Sequence, residues 1–166
     1  MVSRIEGERL IIAATLDAVE TDQEFERIPP HMTVVRWFQM QENRRFRVIA
    51  AMNRLFTDQD VYQDLIGGKA KKYGEQKQFP VRELIGAETG PSYGLRSLVR
   101  GLGSFRADDI YADTFSAHVT DTEERRVRRG EKIALATVAL ISAHSDKPYQ
   151  RVVESFSLGL KEDQNG

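Results

Sequence analysis

Two long runs of strand-forming residues close the chain, KIALATVALISAH from Lys132 and YQRVVESFSLGL from Tyr149. Only SDKP separates them, and so short a turn-forming link predicts a hairpin. A hairpin commits this part of the chain to antiparallel pairing, and other segments offer it partners. RLIIAATLD, from Arg9, reads as a buried strand, and HMTVVRWF, from His31, as another. GKAKKYG and FPVRELI read as two more, with Pro80 suiting the latter to a sheet edge. Two stretches follow helical spacing instead. From Asn43 to Phe56, the residues Phe46, Ile49, Ala50 and Phe56 mark an apolar face, with Arg44, Arg45, Arg47 and Arg54 largely off it. Ser92 is placed to cap a second helix carrying Leu95, Leu98, Val99 and Leu102, and Gly101 and Gly103 predict its end.

The order of these elements gives each half of the chain a helix and a strand that contains the word His-x-Thr, once in PPHMTVV and once in SAHVT. Two similar lobes are therefore expected, with no residue-level repeat beyond that word. The 166 residues suffice for a single domain, residues 1–166, that buries most of what the unfolded chain exposes.

Charge and composition remove several function classes. A formal net charge of −1 gives no global attraction to nucleic acid or to an anionic membrane, so anion binding has to come from local clusters. The absence of cysteine removes disulfides, thiolate metal sites and thiol nucleophiles. MVSRIEGERL has no apolar stretch of signal-peptide length, and no run approaches the roughly 18 apolar residues of a membrane span. A cytoplasmic protein is expected.

Only three histidines occur, and two of them, His31 and His118, stand two residues before a threonine among strand-forming residues. Residues two apart on a strand share a face. Histidine titrates near neutrality, so two imidazoles at one cleft can divide the work of base and acid. The hydroxyls of Thr33 and Thr120 can donate to the non-bridging oxygens of a phosphate. One such word occurs by chance in many chains and a strand histidine is more often structural; two from three histidines favour a metal-free phosphodiester site.

With this pairing the sequence resembles the two-histidine (2H) phosphoesterases, the superfamily of the 2′-5′ RNA ligase and RNA 2′,3′-cyclic phosphodiesterase enzymes. PPHMTVV is similar to the first family motif, with proline directly before His31 and apolar residues after Thr33. SAHVT is similar to the second, and the closing hairpin extends the likeness over about Arg9 to Leu160. Ala117 stands where proline is often seen, and Asp121 where an apolar residue commonly follows. The resemblance implies an α+β, bilobal fold: two pseudo-symmetric lobes of antiparallel sheet with packed helices and an active cleft between them. It also implies a monomeric hydrolase that needs no cofactor or metal and opens 2′,3′-cyclic phosphates on RNA ends or nucleotides. His31 and His118 act there as base and acid in an order left open, with Thr33 and Thr120 on the phosphate oxygens. Degradation of cyclic nucleotide or oligonucleotide signals is the rival activity. A non-catalytic RNA- or nucleotide-binding module is the rival from another class.

Substrate-binding candidates follow from charge and aromaticity. Arg125, Arg126, Arg128 and Arg129 leave the second motif in a turn, where they either reach a phosphate backbone or pair with Glu123, Glu124 and Glu131. Trp37 shares the strand parity of His31 and is either a base-stacking surface or core. Tyr149 carries the same choice. Lys69, Lys71 and Lys72, beside Tyr73, form either a basic stacking surface or a charged edge strand protected from aggregation. GGKA lacks the remaining residues of a phosphate loop. His144 reads as a surface histidine, and Asp108 and Asp109 point apart on a strand.

Overall fold

A computed structural model describes residues 8–56, 65–73, 79–86, 92–102, 118–120, 125–144 and 146–158. For Arg36, Tyr73, Phe79, Ser92, Tyr93, Leu102 and His118 it describes the backbone alone. Ser116, Ala117, Asp121, Gly103, Asp108 and Asp109 lie outside the described residues.

The architecture is α+β and built on antiparallel pairing. β1 (Glu8–Thr15), β2 (Glu24–Phe25) and β3 (His31–Phe38) are followed by a 3-10 turn and α1 (Arg45–Phe56). β4 (Leu65–Tyr73), β5 (Phe79–Ile85), α2 (Ser92–Leu102), β6 (His118–Thr120), β7 (Lys132–Ile133), β8 (Thr137–His144) and β9 (Gln150–Ser157) complete the order. All nine strands among the described residues join one sheet, β2-β9-β8-β1-β3-β6-β5-β4-β7.

The near-continuous apolar runs of β1 and β8 arise because both faces of the sheet are covered there. On one face Leu10, Ile12, Ala14, Val138 and Leu140 join the main core with α1 and α2 residues such as Met52, Phe56, Leu95 and Val99. On the other, Ile11, Ala13, Ala139, Ile141 and Val152 pack with Val19 and, from the β1–β3 connection, Phe25 and Ile28. The helix face is pinned at one corner by Glu8, a buried carboxylate that pairs with Arg45 and accepts the Ser142 hydroxyl at 2.6 Å.

The sheet must also curl. Ile133 of β7 and Thr137 of β8 are four residues apart, a reach of about 14 Å. Their strands are six places apart in the sheet, which would be about 29 Å if it were flat. Burial of Ile133, Leu135, Val138 and Leu158 in the same core as Leu65 and Leu84 accompanies that closure.

Four expectations need correction. KIALATVALISAH is two strands: at the break Ala136 donates to the Thr15 carbonyl at 2.7 Å and accepts from Leu158 at 2.8 Å, so its backbone joins β1 and the end of β9. In α1 the buried residues are Val48, Ala51, Met52 and Phe56, whereas Phe46 is 65% exposed and Ala50 is also exposed. The 46–49–50 stripe meets Asn53 one turn later, while 48–51–52 continues through Leu55 and Phe56. FPVRELI lies inside the sheet between β6 and β4. Its proline is tolerated because the ladder to β6 covers only Val81, Arg82 and Glu83. Gly101 falls within α2 and does not end it.

The edges are short: β2 and β7 have two residues each, a length that limits pairing with other chains. β7 pairs only with Leu65 and Ile66, which leaves the charged part of β4 bordered by β5 alone among the described residues. No helix among the described residues is long and apolar enough to cross a membrane.

Candidate functional site

The two His-x-Thr strands are neighbours in the middle of the sheet. Met32 pairs with Val119, both completely buried, and this single register point orients everything around it. Burying this Met and Val is worth about 1.5–3 kcal/mol each, which holds the seam in register. In an antiparallel pair the flanking positions then face one another: 31 opposite 120 and 33 opposite 118. Because Met32 and Val119 point into the helix-covered core, positions 31, 33, 118 and 120 share the opposite face.

Contact across the seam is direct. The His31 backbone N–H donates to Thr120 Oγ1 at 2.9 Å, so the second motif's hydroxyl is fixed by the first motif's histidine. A threonine oxygen that accepts in this way keeps its own hydrogen to donate. The His31 ring is oriented from the other side, with Nδ1 at 2.8 Å from the Pro29 carbonyl. A carbonyl only accepts, so Nδ1 carries the hydrogen and Nε2 is the nitrogen whose protonation changes. Pro29 and Pro30 explain the local geometry. Their restricted backbone sets an extended approach, Pro30 offers its carbonyl to Leu16 at 3.1 Å, and the Pro29 carbonyl is left to take the imidazole.

Thr15 stands opposite His31 on β1 and braces that side. Its hydroxyl donates to the Asp17 carbonyl at 2.7 Å and is hydrogen-bonded to the Thr137 hydroxyl, onto which the Val19 N–H also points at 3.4 Å. A complete cross-strand row runs Thr137, Thr15, His31, Thr120, Val81, Lys71. The next row holds Ala139, Ala13, Thr33, position 118 and Glu83.

The other candidates lie elsewhere. Arg125 pairs with Glu131 through Nη2 at 2.6 Å, and the backbone of Arg128 donates to the same carboxylate at 3.0 Å. These bonds, the Arg125 side chain first, hold the Glu131 carboxyl below its ordinary value. The 125–131 loop packs on the helix-covered face: Val127 joins the main core, and its carbonyl accepts Arg82 Nε at 2.9 Å. Arg126 and Arg128 are exposed on a segment anchored to that face, so the loop and the motif positions do not share a side of the sheet. Trp37 does share the motif face, but two bulges and six residues of β3, about 20 Å, separate it from His31. It packs half-buried on the second core cluster beneath the Arg9 guanidinium, 4.9 Å from the ring centre. Tyr149 enters β9 at that same distant end, where Gln150 pairs with Ala143 and Ala143 with Arg9; Lys147 Nζ lies 6.0 Å from its ring. His144 is not a simple surface residue, since its Nε2 lies 3.5 Å from Glu8 Oε2.

The two rows also contain charged residues, Lys71 in the first and Glu83 in the second. Lys71 and Glu83 form an ion pair on β4 and β5, and Glu83 stands directly across from position 118. Glu83 gives no sequence signal of its own; only the register brings it to the motif row.

No protein-family model and no curated protein matches the chain.

Proposed function

We propose that this chain is a metal-independent phosphodiesterase that opens 2′,3′-cyclic phosphates, with His31, Thr33, His118 and Thr120 around one phosphorus atom. The observation that carries the reading is the seam between β3 and β6, where the motifs pair in register and the His31 N–H donates to Thr120 Oγ1. Two histidines with roles in unrelated structural networks would have no reason to meet there. The two lobes belong to the same proposal: the five strands from β2 to β3 and the four from β6 to β7 are its halves, and the cleft lies over the seam.

In the reaction, a neutral imidazole takes a proton from water as the water oxygen bonds to phosphorus. The bond from phosphorus to the ribose 3′ oxygen breaks, the protonated imidazole donates to that oxygen, and a 2′-phosphate remains. Thr33 and Thr120 donate to the non-bridging oxygens as charge builds on them. Nε2 of His31 does the proton transfer, because Nδ1 is committed to Pro29.

The test is a turnover screen of 2′,3′-cyclic mononucleotides, RNA with cyclic ends and cyclic dinucleotides, performed in excess EDTA. Cleavage of the cyclic ends that persists in EDTA and falls about 10²–10⁴-fold in either His31→Ala or His118→Ala supports the proposal. Turnover restored only by a divalent cation, or a fully active His118→Ala, would contradict it.

A further inference from the structure

We infer that Lys71, held in place by Glu83, binds a second phosphate of the substrate, one nucleotide away from the reacting one. This rests on the phosphodiesterase reading above and names its substrate class: an oligonucleotide phosphodiester rather than a mononucleoside cyclic phosphate.

Register carries the inference. Thr120 pairs with Val81, and Val81 with Lys71, so Lys71 closes the row that starts at Thr15 and His31. Directly opposed residues in antiparallel strands share a face, which puts the lysine on the motif side of the sheet. One strand, β5, lies between Lys71 and Thr120, and the two inter-strand spacings amount to about 10 Å, a gap that a four-carbon stem and one nucleotide unit can bridge.

The lysine is also held ready. Its ammonium pairs with Glu83 Oε1, while Glu83 Oε2 lies 3.4 Å from the Lys69 backbone N–H. Gly68 makes room for that carboxylate, since a Cβ there would stand 3.0 Å from Glu83 Cβ and 3.3 Å from its Oε2. The Lys71 hydrogen bond is the main cause holding the Glu83 carboxyl below its ordinary value, so it is ionised at neutral pH. Lys69 stands as a second cation beside that carboxylate, and the Lys71 side chain remains 44% exposed. The arginines after the second motif cannot take this part from their present side of the sheet, because Val127 and Arg82 tie their loop to the other face.

The experiment compares kcat/KM for adenosine 2′,3′-cyclic phosphate with that for the ApA dinucleotide ending in a 2′,3′-cyclic phosphate, in the parent, Lys71→Met and Lys71→Arg. Lys71→Met should lower the dinucleotide value about tenfold more than it lowers the mononucleotide value, with Lys71→Arg close to the parent. The salt dependence of the dinucleotide reaction should weaken by about 0.7 in log–log slope, the loss of one phosphate contact on a single strand. A cyclic dinucleotide as third substrate distinguishes the source of the second phosphate, an RNA chain or a cyclic oligonucleotide. Equal losses on mononucleotide and dinucleotide, or none on either, overturn the role of Lys71 while the phosphodiesterase reading stands. Failure of the parent to cleave any of the three removes both.

Discussion

At Thr120 one oxygen accepts the His31 N–H at 2.9 Å and keeps its own hydrogen to donate. Replacing Thr120 by valine keeps the shape but leaves a half-buried N–H at the start of β3 without its acceptor. Turnover of a cyclic phosphate should fall about 10²–10³-fold. Urea denaturation should show a loss of about 1–2 kcal/mol. Thr120→Ser, which restores the oxygen, should recover most of both. A variant as stable as the parent would mean that the seam does not depend on this bond. The histidines and threonines themselves were legible in the sequence, because two copies of one word among three histidines are rare. Their partners were not: nothing in PPHMTVV or SAHVT says that β6 pairs with β3. His144 shows the same limit, since its neighbour Glu8 arrives from the opposite end of the chain.

Among the elements, the existence of the main strands and of α1 and α2 follows from periodicity and turn residues, but the break between β7 and β8, the end of α2 and the buried side of α1 depend on tertiary contacts. Met52 is completely buried and Phe46 is mostly exposed. Met52→Ala should therefore cost about 2–5 kcal/mol. Phe46→Ser should stay within about 0.5 kcal/mol, both read by urea denaturation. The reverse order would restore the face that simple residue spacing first suggested. The 125–131 loop gives a pH prediction. Its folded Glu131 carboxyl is held below the usual 4.5, first by Arg125 and then by the Arg128 N–H. A depressed carboxylate contributes its full stabilisation above the unfolded value and loses it as pH falls through the folded one. Glu131→Gln should thus melt about 1–3 °C below the parent at neutral pH. That gap should close as the pH is taken below 4.5. A gap unchanged into acid would assign it to packing. The arginine cluster itself was plain in the sequence, with Glu131 as one of its stated partners; the face it occupies was set by Val127, a residue that carries no charge signal.

For the whole molecule, the short link from β7 to β8 forces the sheet to curl, and among the described strands the two His-x-Thr strands sit side by side at its centre, flanked on each side by strands from early and late in the sequence. The sequence order made an α+β fold with two motif strands readable. It could not show that one continuous sheet carries both, because non-local pairing leaves no local pattern. Trp37 and Tyr149 illustrate the cost: parity put Trp37 on the right face, but both stand at the end of the sheet far from His31. The central claim is that the two imidazoles serve one phosphorus atom as base and acid, and the pH dependence of kcat/KM tests it most directly. With a 2′,3′-cyclic phosphate in EDTA, the rate should rise to a maximum near neutrality and fall on both sides, the limbs belonging to the coupled pair. With a p-nitrophenyl phosphodiester, whose leaving group needs no proton, the alkaline limb should flatten. Identical bells for the two substrates, or a single sigmoid for the cyclic phosphate, would contradict paired acid and base catalysis.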